Sequence, residues 1–348
     1  MKNSFKKRTL LLATVLALGA FSGCEGQSAT TEDVTVYMPD GAPAIVMAGL
    51  MNADTEDDGV IYRVVASSLI ASKVTNEDME KNADLCVLPI TAASKLLGKG
   101  DKYQLLGLVT QGNLYMIAKD AETTYTAENL SALVGKTVGV LQINEVPGLT
   151  FKAVLNKNNV AWQEVKNDGE KAADKVNLLA ISGADAVGAT EGVDRFVLAE
   201  PAVSAQAKKG YSIVGDLQQL YGADEEGKFG YPQAVIVAKS EFAADSGEKA
   251  KWTWNFVQAL QESNEWVLQA SGEEIVAAVS AHLEDEGYTS TLKAPLLGTE
   301  VLSRCGVRFE YAYNAQTRIE DYLTEMIAVN EKAAAIPDAA FYWQGILK

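Results

Sequence analysis

Beyond residue 33 the chain alternates short β-branched or apolar runs with helix-forming runs, and this alternation most narrows what it can fold into. Val34-Thr35-Val36-Tyr37-Met38 reads as a strand. Pro39 to Pro43 breaks it, and Ala44 to Met51 reads as a helix with Pro43 in its first turn. Ile61 to Ala66 reads as a second strand. Asp84 to Leu88 is a buried strand ended by Pro89, with Thr91 as N-cap of a helix over Ala92 to Leu97. Leu105 to Thr110 and Leu114 to Ala118 are further strands. After Asp120 the pattern restarts with a strand over Thr137 to Leu141, a loop over Gln142 to Pro147 and a helix over Leu149 to Leu155. Val176 to Ile181 gives another strand, with Ser182 placed to cap a helix from Gly183. Arg195 to Ala199 follows, ended by Glu200-Pro201, and Ala202 to Lys208 continues as helix. Ala234 to Ala238 is the last strand expected, before helices over Gly247 to Ala270, Glu273 to Leu283 and Gln316 to Ala334. Such a chain is α/β, and ligands of such folds bind beyond the carboxyl ends of the strands.

The first 24 residues have a different character. Lys2, Lys6, Lys7 and Arg8 precede an apolar run from Leu10 to Phe21, and Ser22-Gly23-Cys24 follows. A cationic start, an apolar middle and a small-residue end make an export signal, and the run is too short to span a bilayer. The segment resembles a bacterial lipoprotein signal (residues 1–23), in which cleavage before Cys24 leaves a lipid on that cysteine. Phe21 departs from the aliphatic residue usual three places before it, so secretory cleavage without a lipid is the alternative. Residues 24–33 are short and polar, as a flexible tether is. The chain is thus expected in the cell envelope, extracytoplasmic and anchored to the membrane through the lipid.

Loss of residues 1–23 removes four cations and no anion, which takes the formal net charge from -16 to -20. So acidic a surface repels phosphate backbones and disfavours nucleic acid as a partner. With 48% hydrophobic residues, the chain has enough apolar side chains for substantial cores. About 320 residues past the signal is more than one core usually organises, so two lobes are expected. Cys86 lies in an apolar run and Cys305 beside Arg304; whether they pair is open at this level.

Several segments in order resemble the type II periplasmic binding proteins of ABC importers, in the branch that serves thiamine-pyrimidine, alkylsulfonate and nitrate uptake. They are Met38-Pro39-Asp40-Gly41-Ala42-Pro43, Ala83 to Pro89, Leu133-Val134-Gly135-Lys136-Thr137-Val138-Gly139-Val140, and Val193 to Pro201. The likeness runs from about Val34 to Asn330. It implies a two-lobed fold with two interlobe crossovers, near Ala118–Ala121 and Gln233–Ala238. Lobe one would then be residues 34–118 plus 239–348, and lobe two residues 119–238. The resemblance further implies a monomer without a cofactor that closes on one small molecule and delivers it to an ABC permease. A binding protein that reports its ligand to a partner receptor is the alternative.

Eleven residues are candidates for ligand contact. Asp40, Gly41 and Ala42 begin the first helix from the cleft side, where Asp40 either caps the helix or meets the ligand. Thr91 has the same two readings. Asn113 and Tyr115 precede the first crossover, and Tyr231 precedes the second, placed either to stack on a ring or to line the hinge. Asn144 and Glu145 sit in the lobe-two loop that the family aims at its substrate. Glu200 matches the family's Glu-Pro, and Arg304 either neutralises a ligand anion or forms a surface ion pair. Carboxylates outnumber cations in this set, which together with the tyrosines favours a neutral or cationic ring, pyrimidine-like, over a bare anion.

Enzyme readings find little support. His282 is the only histidine, and the chain has no Gly-x-Ser-x-Gly elbow and no Gly-x-x-x-x-Gly-Lys-Ser/Thr loop. Zinc-like His/Cys spacing is absent as well. The related pyrimidine synthases carry a cysteine-rich motif and use a histidine, and neither feature is present. An exported enzyme on the same fold is therefore the remotest alternative.

Overall fold

The computed structural model describes residues 33–55, 59–119, 123–193, 195–224 and 226–346. The signal, Cys24 and nearly all of the tether lie outside the described residues.

Two mixed six-stranded sheets organise the chain. The first contains β1 (Val34–Pro39), β2 (Val60–Val65), β3 (Leu85–Pro89), β4 (Tyr103–Gln111), β11 (Pro232–Lys239) and β12 (Val307–Tyr311), in the order β12-β4-β11-β3-β1-β2. The second contains β5 (Leu114–Lys119), β6 (Thr137–Leu141), β7 (Trp162–Val165), β8 (Val176–Ile181), β9 (Arg195–Ala199) and β10 (Tyr211–Asp216), in the order β10-β5-β9-β6-β8-β7. The helices are α1 (Ala42–Ala53), α2 (Ile90–Leu97), α3 (Val146–Lys157), α4 (Ala202–Ala207), α5 (Leu217–Tyr221), α6 (Glu248–Val267), α7 (Gly272–Ala281), α8 (Thr299–Arg304) and α9 (Ala312–Val329). This is the α/β class expected from the alternation, in the two lobes expected from the chain's length.

The crossovers fall elsewhere than the sequence led us to expect. The chain passes from β4 in the first sheet to β5 in the second through Gly112 and Asn113 alone, not near Ala118–Ala121. It returns between Tyr221 and Pro232, ahead of β11, not within Gln233–Ala238. The strand at 114–119 therefore belongs to lobe two, where it pairs with β9 and β10, and the strand at 232–239 belongs to lobe one, between β3 and β4. Both are apolar on both faces, so their composition suits either lobe. Only the hydrogen-bond partners decide.

Strand pleating sorts the core side chains by period two. Along β3, Leu85 and Val87 face one way with Val36 and Met38 of β1, under α1, α6 and α7, while Cys86 and Leu88 face the other way, toward α2 and α9. In β5, Leu114, Met116 and Ala118 join that second face, and Tyr115 and Ile117 join a smaller cluster with Phe196, Leu198 and Val203. The second face is one continuous apolar cluster through both lobes, and α9 of lobe one packs on α3 of lobe two. Cys86 and Cys305 are both buried free thiols.

Three strands had no counterpart in the sequence reading: β7, β10 and β12. All three are sheet edges. An edge strand buries less of its surface, so its sequence (WQEV, YSIVGD, VRFEY) loses the apolar signature. The helix expected from Gly183 is only a 3-10 turn, Ala184–Ala186.

Candidate functional site

The carboxyl ends of the central strands of both sheets lead into helices, and the loops between them form the candidate site. From lobe one come Asp40 and Gly41 after β1, and Pro89 before α2. From lobe two come Gln142 to Glu145 after β6, and Glu200-Pro201 after β9. Helices α1, α2 and α3 all start without a side-chain cap, on Gly41, Pro89 and Glu145. Their first-turn N–H groups carry partial positive charge that no side chain of the cap residue answers.

Asp40 does not cap α1. Its carboxylate is 7% exposed and accepts from the Tyr288 hydroxyl (3.1 Å), the Ser290 hydroxyl (2.7 Å), and the Thr291 N–H (2.6 Å) and hydroxyl (2.8 Å). Four donors leave it little capacity for a ligand: it clasps the 288–291 loop to the end of β1. The cap position falls to Gly41, whose φ of 101° favours glycine. Ala42 is buried at the start of α1. Thr91 is likewise no cap, being the second residue of α2, with its side chain buried and its carbonyl accepting from the Ser94 hydroxyl.

The loop after β6 is held in shape from behind. Gln142 has φ 53°, and the buried amine of Lys152 donates to the Ile143 carbonyl (2.9 Å) and to Glu164 (2.6 Å). A Cβ on Gly148 would stand 2.0 Å from that same carbonyl oxygen, so only glycine fits there. Asn144 and Glu145, at the front of this loop, are exposed.

At the crossovers a polar cluster forms the floor. The Asn113 side-chain oxygen accepts from Gln233 Nε2 (2.7 Å), and its carbonyl accepts from the Glu200 N–H (3.0 Å). Gln218 Oε1 accepts from the Leu114 N–H (3.1 Å) and the Tyr231 hydroxyl (3.0 Å). Gln233 Oε1 of this cluster is buried and makes no hydrogen bond, and the Gln218 amide is turned to the Tyr115 hydroxyl. Tyr115 lies alongside, its hydroxyl directed at the Arg304 carbonyl (3.4 Å), and burial pushes its phenol well up. Arg318 on α9 ties both crossovers to lobe one, through Gln111 (2.6 Å), Asp224 (3.6 Å) and Glu310.

Tyr231 lines the hinge, the second of its two readings. Its ring is fully buried, stacked on Tyr322 (5.8 Å between centroids) and edge-on to Tyr221. No face remains for a ligand, and burial drives its phenol far up.

Glu200 and Arg304 meet across the lobes. The Glu200 carboxylate, its side chain wholly buried, accepts from Arg304 Nε (2.7 Å) and from the Ser204 hydroxyl (2.9 Å) and N–H (3.1 Å). Arg304 also donates to Ser204 (3.0 Å) and pairs with exposed Glu300 (2.5 Å). Burial pulls the guanidinium down, but the two glutamates outweigh that and hold it firmly charged.

The sequence reading thus found both halves of this ion pair, though not that they pair. It missed Ser204, Gln218, Gln233 and Lys152. A polar residue inside an apolar run marks two of them in retrospect, Gln233 in β11 and Lys152 in the largely buried α3.

Two other polar groups engage partners within the fold. A surface hollow of about 1230 Å³ lies at the amino-terminal ends of β1 and β3, lined by Asp84, Lys239 and Trp252 among others. Asp84 there is already bound by Lys239 (2.9 Å) and by the Thr35 hydroxyl and N–H (both 2.9 Å). His282 bridges Asp54 (2.9 Å) and the Ala278 carbonyl (2.7 Å) at the end of α7.

No protein-family model matches the chain, and no curated protein does. Solved structures do. One described as an ABC transporter from Parabacteroides distasonis is 20% identical, with a TM-score of 0.66 over 91% of this chain and 99% of that one. The periplasmic aliphatic sulphonate binding protein SsuA from Escherichia coli is 15% identical, with a TM-score of 0.61 over 91% of this chain and 94% of its own. The alkanesulfonate-binding protein SsuA from Xanthomonas axonopodis pv. citri, bound to MOPS, is 10% identical, with a TM-score of 0.54 over 89% and 97%. At these identities the likeness establishes the fold, two-lobed and of the type II periplasmic binding protein kind.

Proposed function

We propose that this chain is the extracytoplasmic substrate-binding component of an ABC importer, capturing one small molecule between its lobes and presenting it to a membrane permease. The observation that carries this is two α/β sheets joined by two chain crossovers, with the end of β9 in lobe two, at Glu200, meeting Arg304 of lobe one. The printed descriptions of its structural neighbours support the same reading. No helix among the described residues is long and apolar enough to cross a membrane, and the membrane attachment we propose is the lipid expected at Cys24.

The ligand we infer is a neutral ring compound with a hydrogen-bonding edge, pyrimidine-like. The grounds differ from those in the sequence, because Asp40, Glu200 and Tyr231 are engaged internally. Support now comes from the crossover floor, where Gln233 Oε1 is a buried acceptor without a partner, with Tyr115 and the Gln218 amide alongside. A buried polar group without a partner costs about 1–3 kcal/mol, which a ligand supplying the partner recovers. A sulfonate finds less here, since Arg304 is already bound by two glutamates and a serine. Gly41, Ala42, Asn144 and Glu145 would line the remaining walls.

Native mass spectrometry of the gently purified protein tests the reading directly. A retained small molecule would identify the ligand class. If the protein emerges empty, thermal-shift screening of pyrimidines, alkanesulfonates and amino-acid derivatives follows; a ligand at a hundred times its Kd stabilises by about 2.7 kcal/mol. Turnover of a bound compound by pure protein would overturn the binding assignment.

A further inference from the structure

The lobes touch on opposite faces of the crossover strands, and the two contacts differ in chemistry. On one face α9 lies against α3. There Tyr322 and Thr150 share a hydrogen bond (2.7 Å), Lys157 pairs with Glu325 (2.7 Å), and the rings of Tyr221, Tyr231 and Tyr322 pack within 6.0 Å of one another. This side belongs to the apolar cluster that runs through both lobes. On the other face, α4 of lobe two reaches lobe one through polar contacts: Arg304 to Glu200 (2.7 Å), Arg304 to Ser204 (3.0 Å), and Lys208 to the Pro295 carbonyl (2.9 Å).

Separating the first contact would expose apolar rings to water, which is opposed by the hydrophobic effect. Separating the second returns a carboxylate, a guanidinium and an ammonium to water, and hydration compensates most of what the pair loses. The polar side is therefore the one that parts. It is also wired to the hinge: Gly306, two residues after Arg304, packs so closely on the first crossover that a Cβ would stand 2.1 Å from the Gly112 carbonyl oxygen. The Gln111 N–H donates to the Gly306 carbonyl (2.9 Å).

We propose that Glu200, Arg304 and Ser204 form a latch that holds the α4–α8 side of the cleft shut, and that the cleft opens by rotation about the α3–α9 side. The binding reading gives this latch its purpose, as the gate to the cleft, but the latch is built from the chain's own side chains and is tested without added ligand.

The test is pulsed electron paramagnetic resonance on the full chain carrying Cys24→Ser, Cys86→Ala and Cys305→Ala, which removes the free thiols so that only introduced cysteines are labelled. Lys209→Cys with Thr299→Cys reports across the latch, and Asn156→Cys with Thr324→Cys reports across the pivot. The wild-type background should give one short latch distance. Arg304→Gln should shift the ratio of long to short distances at least fivefold and leave the pivot distance unchanged. Glu200→Gln keeps its Ser204 contacts and should open the latch similarly, which covers the case that Arg304→Gln does not fold. Identical latch distributions in wild type and variants, or lengthening at the pivot instead, would overturn the proposal. An unchanged latch leaves ligand capture intact, whereas an empty ligand screen leaves the distance result intact, so the two failures are distinguishable.

Discussion

At the scale of single residues, several side chains that resemble ligand contacts in sequence are structural. Asp40 is the clearest. With four donors on one buried carboxylate, Asp40→Ala should lower unfolding stability by about 2–3 kcal/mol, read as a lower urea midpoint at unchanged slope. Ligand affinity should change little in Asp40→Asn, because the carboxylate faces the 288–291 loop. Tyr322 is a second case. Its hydroxyl is the partner of Thr150, and both side chains are fully buried. Removing that hydroxyl as Tyr322→Phe orphans the threonine and should cost about 1–2 kcal/mol in the same urea measurement.

At the scale of elements, the cleft loop after β6 and the start of α7 show how local sequence fixes geometry. Gly148→Ala must displace the Ile143 carbonyl, a backbone atom, and should cost about 2 kcal/mol with faster amide exchange over 142–149. Helix α7 opens with a capping box in which Ser271 and Glu274 bond each other's backbone N–H groups. Those bonds from the Ser271 N–H and hydroxyl hold the Glu274 carboxyl below its ordinary range. A carboxyl lowered by folding contributes stability above its unfolded pKa, and loses it as pH falls through the folded value. Ser271→Ala should therefore cost about 1 kcal/mol at pH 7 and progressively less below about pH 4, checked by melts across pH. Glu284 moves in the same direction, where burial pushes it up but hydrogen bonds from Lys73 and Tyr37 outweigh that.

At the scale of the whole molecule, the continuous apolar cluster decides how the protein unfolds. Because α3, α5 and α9 share one core with side chains of both sheets, the lobes should melt together. Calorimetry should give a single transition with matching calorimetric and van't Hoff enthalpies, and two resolved peaks would contradict the shared core. Anchoring is tested separately: Cys24→Ser should move the protein from the membrane to the soluble fraction, and retention of the variant on the membrane would refute the lipid tether.

The sequence by itself determined the α/β class, the two lobes and most buried strands, because period-two patterning and Pro/Gly punctuation are local and survive without a partner. It marked the strand-to-helix loops, and with them Gly41 and the Gln142–Pro147 loop, for the same reason, whereas Glu200 was marked by resemblance to a family motif. Edge strands β7, β10 and β12 were not legible, since an edge lacks a second neighbour to demand apolar side chains. Tertiary structure alone decided which sheet β5 and β11 join, as two strands apolar on both faces fit either lobe until their hydrogen bonds form. It decided too that Asp40 and Tyr231 turn inward, and that Glu200 and Arg304, 104 residues apart, close one side of the cleft. Such pairings depend on where the chain returns in space, which no local pattern encodes.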